Sequence, residues 1–333
     1  MSSSSPQVLI IGCGSIGTRH ARTFLATGRF DVFVCDTDPE RAAAVASSLG
    51  VAAVPDWQAA LTESSAITHV LIATPAPLHV AMARTCLAAG KHVLIEKPLA
   101  LTMAGIDDLI RVRDAADRFA GVAYVQHFAP ALQAARTFLA ARTFGPIRHV
   151  TVNAGQHFPT FRPAYREIYY NDHAQGGGAI QDALTHVANA VEWIVGPTTR
   201  LFCDASHQVL EGVTVEDTVN LVAQNGPTRV SYALNQFQAP NELRCDFHAA
   251  GGSVRIELHR QHWGVLPLGA TAWQWHAAPL EDRDQQFTAQ AHAFLDATEG
   301  RDHPICTLEE GAQSIRFNLA ALQSARELRL VEP

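Results

Sequence analysis

The first 125 residues alternate between two hydrophobic periods. Short unbroken apolar runs at 8–11, 31–35, 70–73, 92–95 and 122–125 read as strands buried on both faces. Helical patterns fill the intervals at 15–27, 39–49, 77–89 and 102–119. Pro39 stands where a first helical turn begins, Gly90 where a helix stops, and Thr102 has N-cap chemistry. Strands alternating with helices of ten or more residues predict βαβ units and a parallel, doubly wound sheet.

The pattern changes after Gln126. A helix at 129–142 and a strand at 147–156 lead into an irregular stretch, 158–178, rich in aromatics and Arg and ending in a glycine triplet. A helix follows at 179–195, stopped by Gly196-Pro197. Strand-like runs then come at 200–207, 218–224, 229–237, 243–249 and 253–259, with Asn225-Gly226 as a hairpin signal. Successive strands on short turns predict an antiparallel sheet. Closing helices are expected at 285–299 and 308–329, the second opened by a capping box, Thr307-x-x-Glu310. The 333 residues thus divide into a parallel-sheet α/β domain, 1–126, and a second α/β domain, 127–333.

Composition narrows the function. Apolar residues make up 47% and charged ones 17%, well below the usual charged share of about 25%. That excludes a disordered chain and points to an extra buried surface, a subunit interface. The net charge of -7, without a basic stripe, argues against nucleic acid and leaves small molecules as partners. Six Cys form no C-x-x-C pair and are expected as reduced thiols of a cytoplasmic protein. The N-terminal Ser run has no basic region before it, and no apolar run approaches membrane length, so neither a leader nor a span is expected.

Gly12-Cys13-Gly14-Ser15-Ile16-Gly17 is a G-x-G-x-x-G placed after the first strand and opening the first helix. The first glycine permits the turn, the second lets a pyrophosphate approach the backbone, and the third allows close helix–strand packing. The helix start supplies amides and partial positive charge to phosphates. Asp36 ends the second strand, where a carboxylate takes the adenosine ribose hydroxyls and repels a 2′-phosphate. NAD is therefore expected over NADP. Ala73-Thr74-Pro75, with His79, and Glu96-Lys97-Pro98 lie at later strand ends, where such a sheet binds its ligand. His79 has a second reading as a residue that caps or packs at a helix start.

Gly176-Gly177-Gly178 precedes a helix bearing Asp182 and His186, four apart and on one face. A carboxylate beside an imidazole suits a general base, although a surface pair has the same spacing. His157 or His173 with that pair would make a metal site, but no compact third-ligand motif accompanies it, and no metal is expected. Arg162, Tyr165, Arg166, Tyr169 and Tyr170 suit a polyhydroxylated or anionic ligand, or a packed or partner-facing loop.

Together the glycine turn, Ala73-Thr74-Pro75 with His79, the stretch from Gly90 through Glu96-Lys97-Pro98-Leu99, and the glycine triplet followed by Asp182 and His186 resemble the Gfo/Idh/MocA oxidoreductases. The resemblance covers nearly the whole chain. It implies an N-terminal Rossmann domain and a C-terminal domain with a large, mainly antiparallel open sheet. It also implies homodimers or homotetramers through that sheet, and NAD(P)-dependent oxidation of a secondary hydroxyl on a sugar or polyol. It gives catalytic roles to Lys97, Asp182 and His186, and leaves open whether Lys97 or His186 is the formal base. Asn189 stands where the family often has an acid, and Gln126-His127-Phe128 where an Asn or Arg is usual, so the sugar is not transferred with the family.

The expected cofactor contacts are Gly12, Gly14, Ser15, Ile16, Gly17, Asp36, Ala73, Thr74, Pro75, His79, Glu96 and Lys97. Substrate is expected at Lys97, Gln126, Arg162, Tyr165, Arg166, Tyr169, Asp182 and His186, in a cleft between domains. Two other readings accompany this one: a redox-neutral isomerase or glycoside-cleaving enzyme that holds NAD tightly, and a non-catalytic NAD- or sugar-sensing regulator.

Overall fold

The computed structural model describes residues 5–333; most of the N-terminal serine run lies outside the described residues. The chain forms two compact units. One runs to Phe128 and takes back Glu281–Ala312, and the other holds Ala129–Leu280 and Gln313–Pro333.

The first unit is built on strands β1 (Gln7–Ile11), β2 (Asp31–Cys35), β3 (Ala52–Ala53), β4 (Ile67–Ile72), β5 (His92–Ile95) and β6 (Ala120–Val122). Helices α1 (Ser15–Ala26), α2 (Pro39–Leu49), α3 (Trp57–Glu63), α4 (His79–Ala88) and α5 (Ile106–Ala116) alternate with them. These strands are parallel, in the order β3-β2-β1-β4-β5-β6. Val8, Leu9 and Ile10 are fully buried because helices cover both faces, which explains their unbroken apolar run. The order reverses between β1 and β4, the switch point where doubly wound sheets bind ligands.

Several expected bounds shift. The helix foreseen from Thr102 begins at Ile106, and its N-cap is Gly105, with φ of 77°. The strand foreseen at 122–125 is β6, since residues from Val125 to Phe128 close into a helical turn. β3 and α3 carried no sequence expectation: β3 is only two residues long, and α3 is a short helix capped by Asp56.

The second unit contains α6 (Pro130–Ala140), β7 (Ile147–Gly155), the single turn α7 (Phe158–Phe161) and α8 (Thr185–Val195). Strands β8 (Arg200–Ser206), β9 (Thr218–Asn225), β10 (Thr228–Asn235), β11 (Glu242–Ala249), β12 (Gly252–Glu257), β13 (His262–Pro267) and β14 (Gln274–Ala277) complete its sheet. The order is β14-β13-β12-β11-β7-β10-β9-β8, antiparallel except where β7 meets β10. β9 and β10 join at Asn225-Gly226, with Gly226 at φ 53° as the hairpin signal requires. β13 and β14 lie in a stretch that gave no strand expectation.

Inward residues Val150, Val152, Leu221, Val230, Tyr232 and Phe247 share a core with Leu184, just before α8, and with Val187 and Val191 of α8. The outward row Phe202, Val222, Ser231 and Thr151 is left open, with Val222 56% exposed.

The sequence pattern predicts the second domain as one continuous segment, 127–333. Instead α9 (Asp284–Thr298) packs on α1, burying Ala291 and Phe294 with Phe24 and Phe30. β15 (Cys306–Thr307) pairs antiparallel with β6. Apolar burial and a sheet edge thus recruit Glu281–Ala312 to the first unit. α10 (Leu308–Glu327) begins with the expected capping box: the Glu310 amide donates to Thr307 Oγ1 at 3.1 Å, and the Thr307 amide to the Glu310 carboxylate at 2.8 Å.

Candidate active site

β1 runs into α1 through the glycine turn, and each glycine there has a distinct job. Gly12 sits at φ 100°, and a Cβ on it would lie 2.6 Å from the Ala73 carbonyl oxygen. A Cβ on Gly17 would lie 1.8 Å from the Gly12 carbonyl oxygen. A Cβ on Gly14 would meet nothing within 4 Å. The turn is closed against β4 on its inner side and open at Gly14. Gly14 also N-caps α1 without a side-chain cap, and Ser15 beside it is exposed. This open cradle at a helix start fits a pyrophosphate.

Asp36 stands beside the cradle. Its carboxylate accepts from the Cys13 amide at 2.7 Å and the Asp38 amide at 2.9 Å, with the Arg41 guanidinium 3.4 Å away. Burial pushes the carboxyl up, but these two amides and Arg41 outweigh it and leave its pKa below the usual value. Asp36 is therefore a fixed anion at neutral pH.

β4 and β5 end in the other two loops. Ala73 continues the ladder through its amide to the Ile11 carbonyl at 2.8 Å, and half-buried Thr74 and exposed Pro75 follow. The Lys97-Pro98 bond is cis, and Lys97 is half-buried.

Glu96 and His79, both expected at the cofactor, are used inside the protein instead. Glu96 holds His20 Nε2 at 2.7 Å through one oxygen and accepts the Lys97 amide at 2.9 Å through the other. His79 is 1% exposed, with Nε2 2.8 Å from the Thr74 carbonyl and Nδ1 2.9 Å from the Pro98 carbonyl. Burial lowers its pKa, and a neutral imidazole has one N–H, so it donates to one of these carbonyls at a time. His79 ties together the two loops that carry Thr74 and Lys97. Gln126 lies half-buried in the turn after β6.

In the second unit the helix foreseen at 179–195 opens with a π-wound turn, Ile180–Leu184, that runs into α8. Such turns are uncommon and recur at functional sites. The turn carries Asp182, 1% exposed, and α8 carries His186, half-buried, about one turn further on. Asp182 accepts from Arg162 Nη1 at 2.9 Å and from Tyr169 Oη at 2.6 Å. The adjacent Asp182 carboxylate raises the Arg162 pKa further above its ordinary value. Both partners keep an exposed portion. Two of the four residues of the Arg- and Tyr-rich stretch expected at substrate therefore converge on Asp182.

The other two do not. Tyr165 is fully buried against Phe158 and Tyr170, and its hydroxyl donates to the Glu211 carbonyl at 2.8 Å. Arg166 lies over the Tyr165 ring and donates to the same carbonyl. Together they pin the loop before β9, and full burial takes Tyr165 out of reach of substrate. His173 and His157 also have local partners, Glu216 at 2.5 Å and Thr160 Oγ1 at 2.8 Å. Asn189, where an acid often stands in the family, donates to Ser314 Oγ of α10 at 3.1 Å. Sequence reasoning missed Glu216; its proximity in space to the glycine triplet, 38 to 40 residues earlier in the chain, leaves no local pattern.

Comparison with known proteins accounts for both units. Residues 7–124 match the oxidoreductase family with the NAD-binding Rossmann fold, GFO/IDH/MocA, and residues 132–255 match the GFO/IDH/MocA C-terminal domain. The chain belongs to this family. An inositol 2-dehydrogenase of Acidothermus cellulolyticus is 32% identical over 57% of the chain and 53% of its own length. The chain spans about half the length of that relative. A 1,5-anhydro-D-fructose reductase of Ensifer adhaerens is 26% identical over 90% of each protein. Among solved structures, a levoglucosan dehydrogenase with NADH and levoglucosan shares the family fold at a TM-score of 0.88. It is 20% identical over 99% of each chain.

Proposed function

We propose that the chain is an NAD-dependent dehydrogenase that oxidises a secondary hydroxyl of a sugar, polyol or sugar acid, or reduces the matching ketone. The observation that carries this reading is the open cradle at Gly14, with the fixed anion Asp36 at its side. Gly12, Gly14, Ser15, Ile16 and Gly17 hold the pyrophosphate, Asp36 takes the ribose hydroxyls, and Ala73, Thr74 and Pro75 border the nicotinamide. NAD, when bound, accepts the hydride. His186 takes the hydroxyl proton, Lys97 offsets charge developing on the substrate oxygen, and Asp182 orients His186. Arg162 and Tyr169 hold Asp182 and offer their exposed edges to substrate hydroxyls, and Gln126 is a further proposed substrate contact. The names of the relatives support a sugar or polyol.

The chain is further proposed to act as a homodimer or homotetramer through the outward sheet row, which leaves Val222 open. All six cysteines are buried thiols outside any disulfide, which suits a reducing cytoplasm. Among the described residues no helix is long and apolar enough to cross a membrane.

The test is a screen of sugars, polyols and sugar acids for NADH formation. It is expected to yield turnover with at least one, and a chain that binds NAD but reduces none of it would contradict the reading. Asp36→Ala is expected to raise the KM for NAD about tenfold and to narrow its advantage over NADP. Paired kinetics with the two nucleotides measure this; an unchanged NAD/NADP ratio would remove Asp36 from the ribose site.

A further inference from the structure

We propose that Glu216 is a positioning residue that sets the entry of the Asp182–His186 helix, with His173 locking it in place. This rests on the reading of Asp182 and His186 as the catalytic pair. Glu216 is 7% exposed and lies just before β9. Its Oε1 accepts the Ile180 amide at 2.9 Å, and its backbone carbonyl accepts the Ala179 amide at 2.9 Å. Two amides that open the helix therefore end on one residue. Helix starts leave such amides without partners, and a carboxylate also complements the positive end of the helix. The second carboxylate oxygen holds His173 Nε2 at 2.5 Å. His173 in turn accepts the Gln181 side-chain amide on its carbonyl at 3.1 Å, so the brace closes on the helix it supports.

The glycine triplet acquires its reason here. A Cβ on Gly178, which has φ 88°, would lie 2.5 Å from Glu216 Oε1, and one on Gly177 would lie 2.2 Å from the Tyr170 carbonyl oxygen. These glycines make room for the brace and for neighbouring backbone. The π-wound turn begins at Ile180, whose amide Glu216 holds, and Asp182 is two residues further on. A π turn has little stability of its own and needs such an anchor. Releasing the Ile180 amide lets the turn rewind, and Asp182 turns relative to His186.

The experiment compares wild type, Glu216→Ala, Glu216→Gln, His173→Ala and His186→Ala. Each is assayed for kcat, KM, NAD affinity and amide exchange across residues 178–184. Glu216→Ala is expected to lose about 10- to 100-fold in kcat, as small misplacements of catalytic groups do, with KM and NAD affinity little changed. Its amides at 178–184 exchange faster. Glu216→Gln keeps an oxygen for the Ile180 amide and restores most of kcat. If Glu216→Ala does not fold, His173→Ala, at a half-exposed side chain, is expected to lower kcat severalfold and speed the same exchange. Wild-type kcat and exchange in folded Glu216→Ala or in His173→Ala, or a Gln variant as damaged as the Ala variant, would overturn the proposal. Full turnover in His186→Ala would instead overturn the reading beneath it, and the exchange data would still decide whether Glu216 holds the turn.

Discussion

His186→Ala is expected to lower turnover by about 10³-fold and to leave NAD affinity unchanged. A positioned general base contributes roughly 10²- to 10⁴-fold, and His186 is the imidazole on the helix that carries the Asp182 clamp. NAD affinity is spared because the cradle belongs to the first unit, around Gly14 and Asp36. Steady-state kinetics together with a nucleotide titration separate the two effects. Loss of both would mark a folding defect, and loss of neither would pass the base to Lys97.

Gly17→Ala and Gly14→Ala are expected to fail in different ways. At Gly17 the new methyl would lie 1.8 Å from the Gly12 carbonyl, which is backbone and cannot rotate away. α1 must then shift off the turn, costing about 3 kcal/mol or more of stability and more than tenfold in NAD affinity. At Gly14 the methyl meets no protein atom within 4 Å, and the backbone, at φ -67°, suits alanine. Gly14→Ala should melt with wild type and still bind NAD more weakly, because the methyl occupies the approach of the phosphates. Thermal melts beside NAD titrations test the pair. Wild-type NAD affinity in Gly14→Ala would move the cofactor away from this turn.

Local chemistry made much of the molecule readable in advance. The glycine turn, the Asn225-Gly226 hairpin and the Thr307/Glu310 box are all written within a few residues of where they act. What escaped depends on neighbours distant in sequence. Tyr165 and Tyr169 look alike in the chain, yet one is sealed beneath the loop before β9 and the other reaches Asp182. His79 and Glu96 carry ligand-type side chains, but the carbonyls of Thr74 and Pro98, and His20, consume them. β13 carries Gly264 and ends at Pro267, and β14 is only four residues long, so neither period stands out. The return of α9 to the first unit follows from packing on α1, which its own amphipathic pattern does not specify.

The central claim is direct hydride transfer between a substrate carbinol and the nicotinamide. It is tested by mass measurement of the NADH formed from a substrate that carries deuterium on the reacting carbon. One deuterium is expected in each NADH released. NADH without deuterium, or deuterium recovered in rearranged sugar with no NADH released, would contradict it.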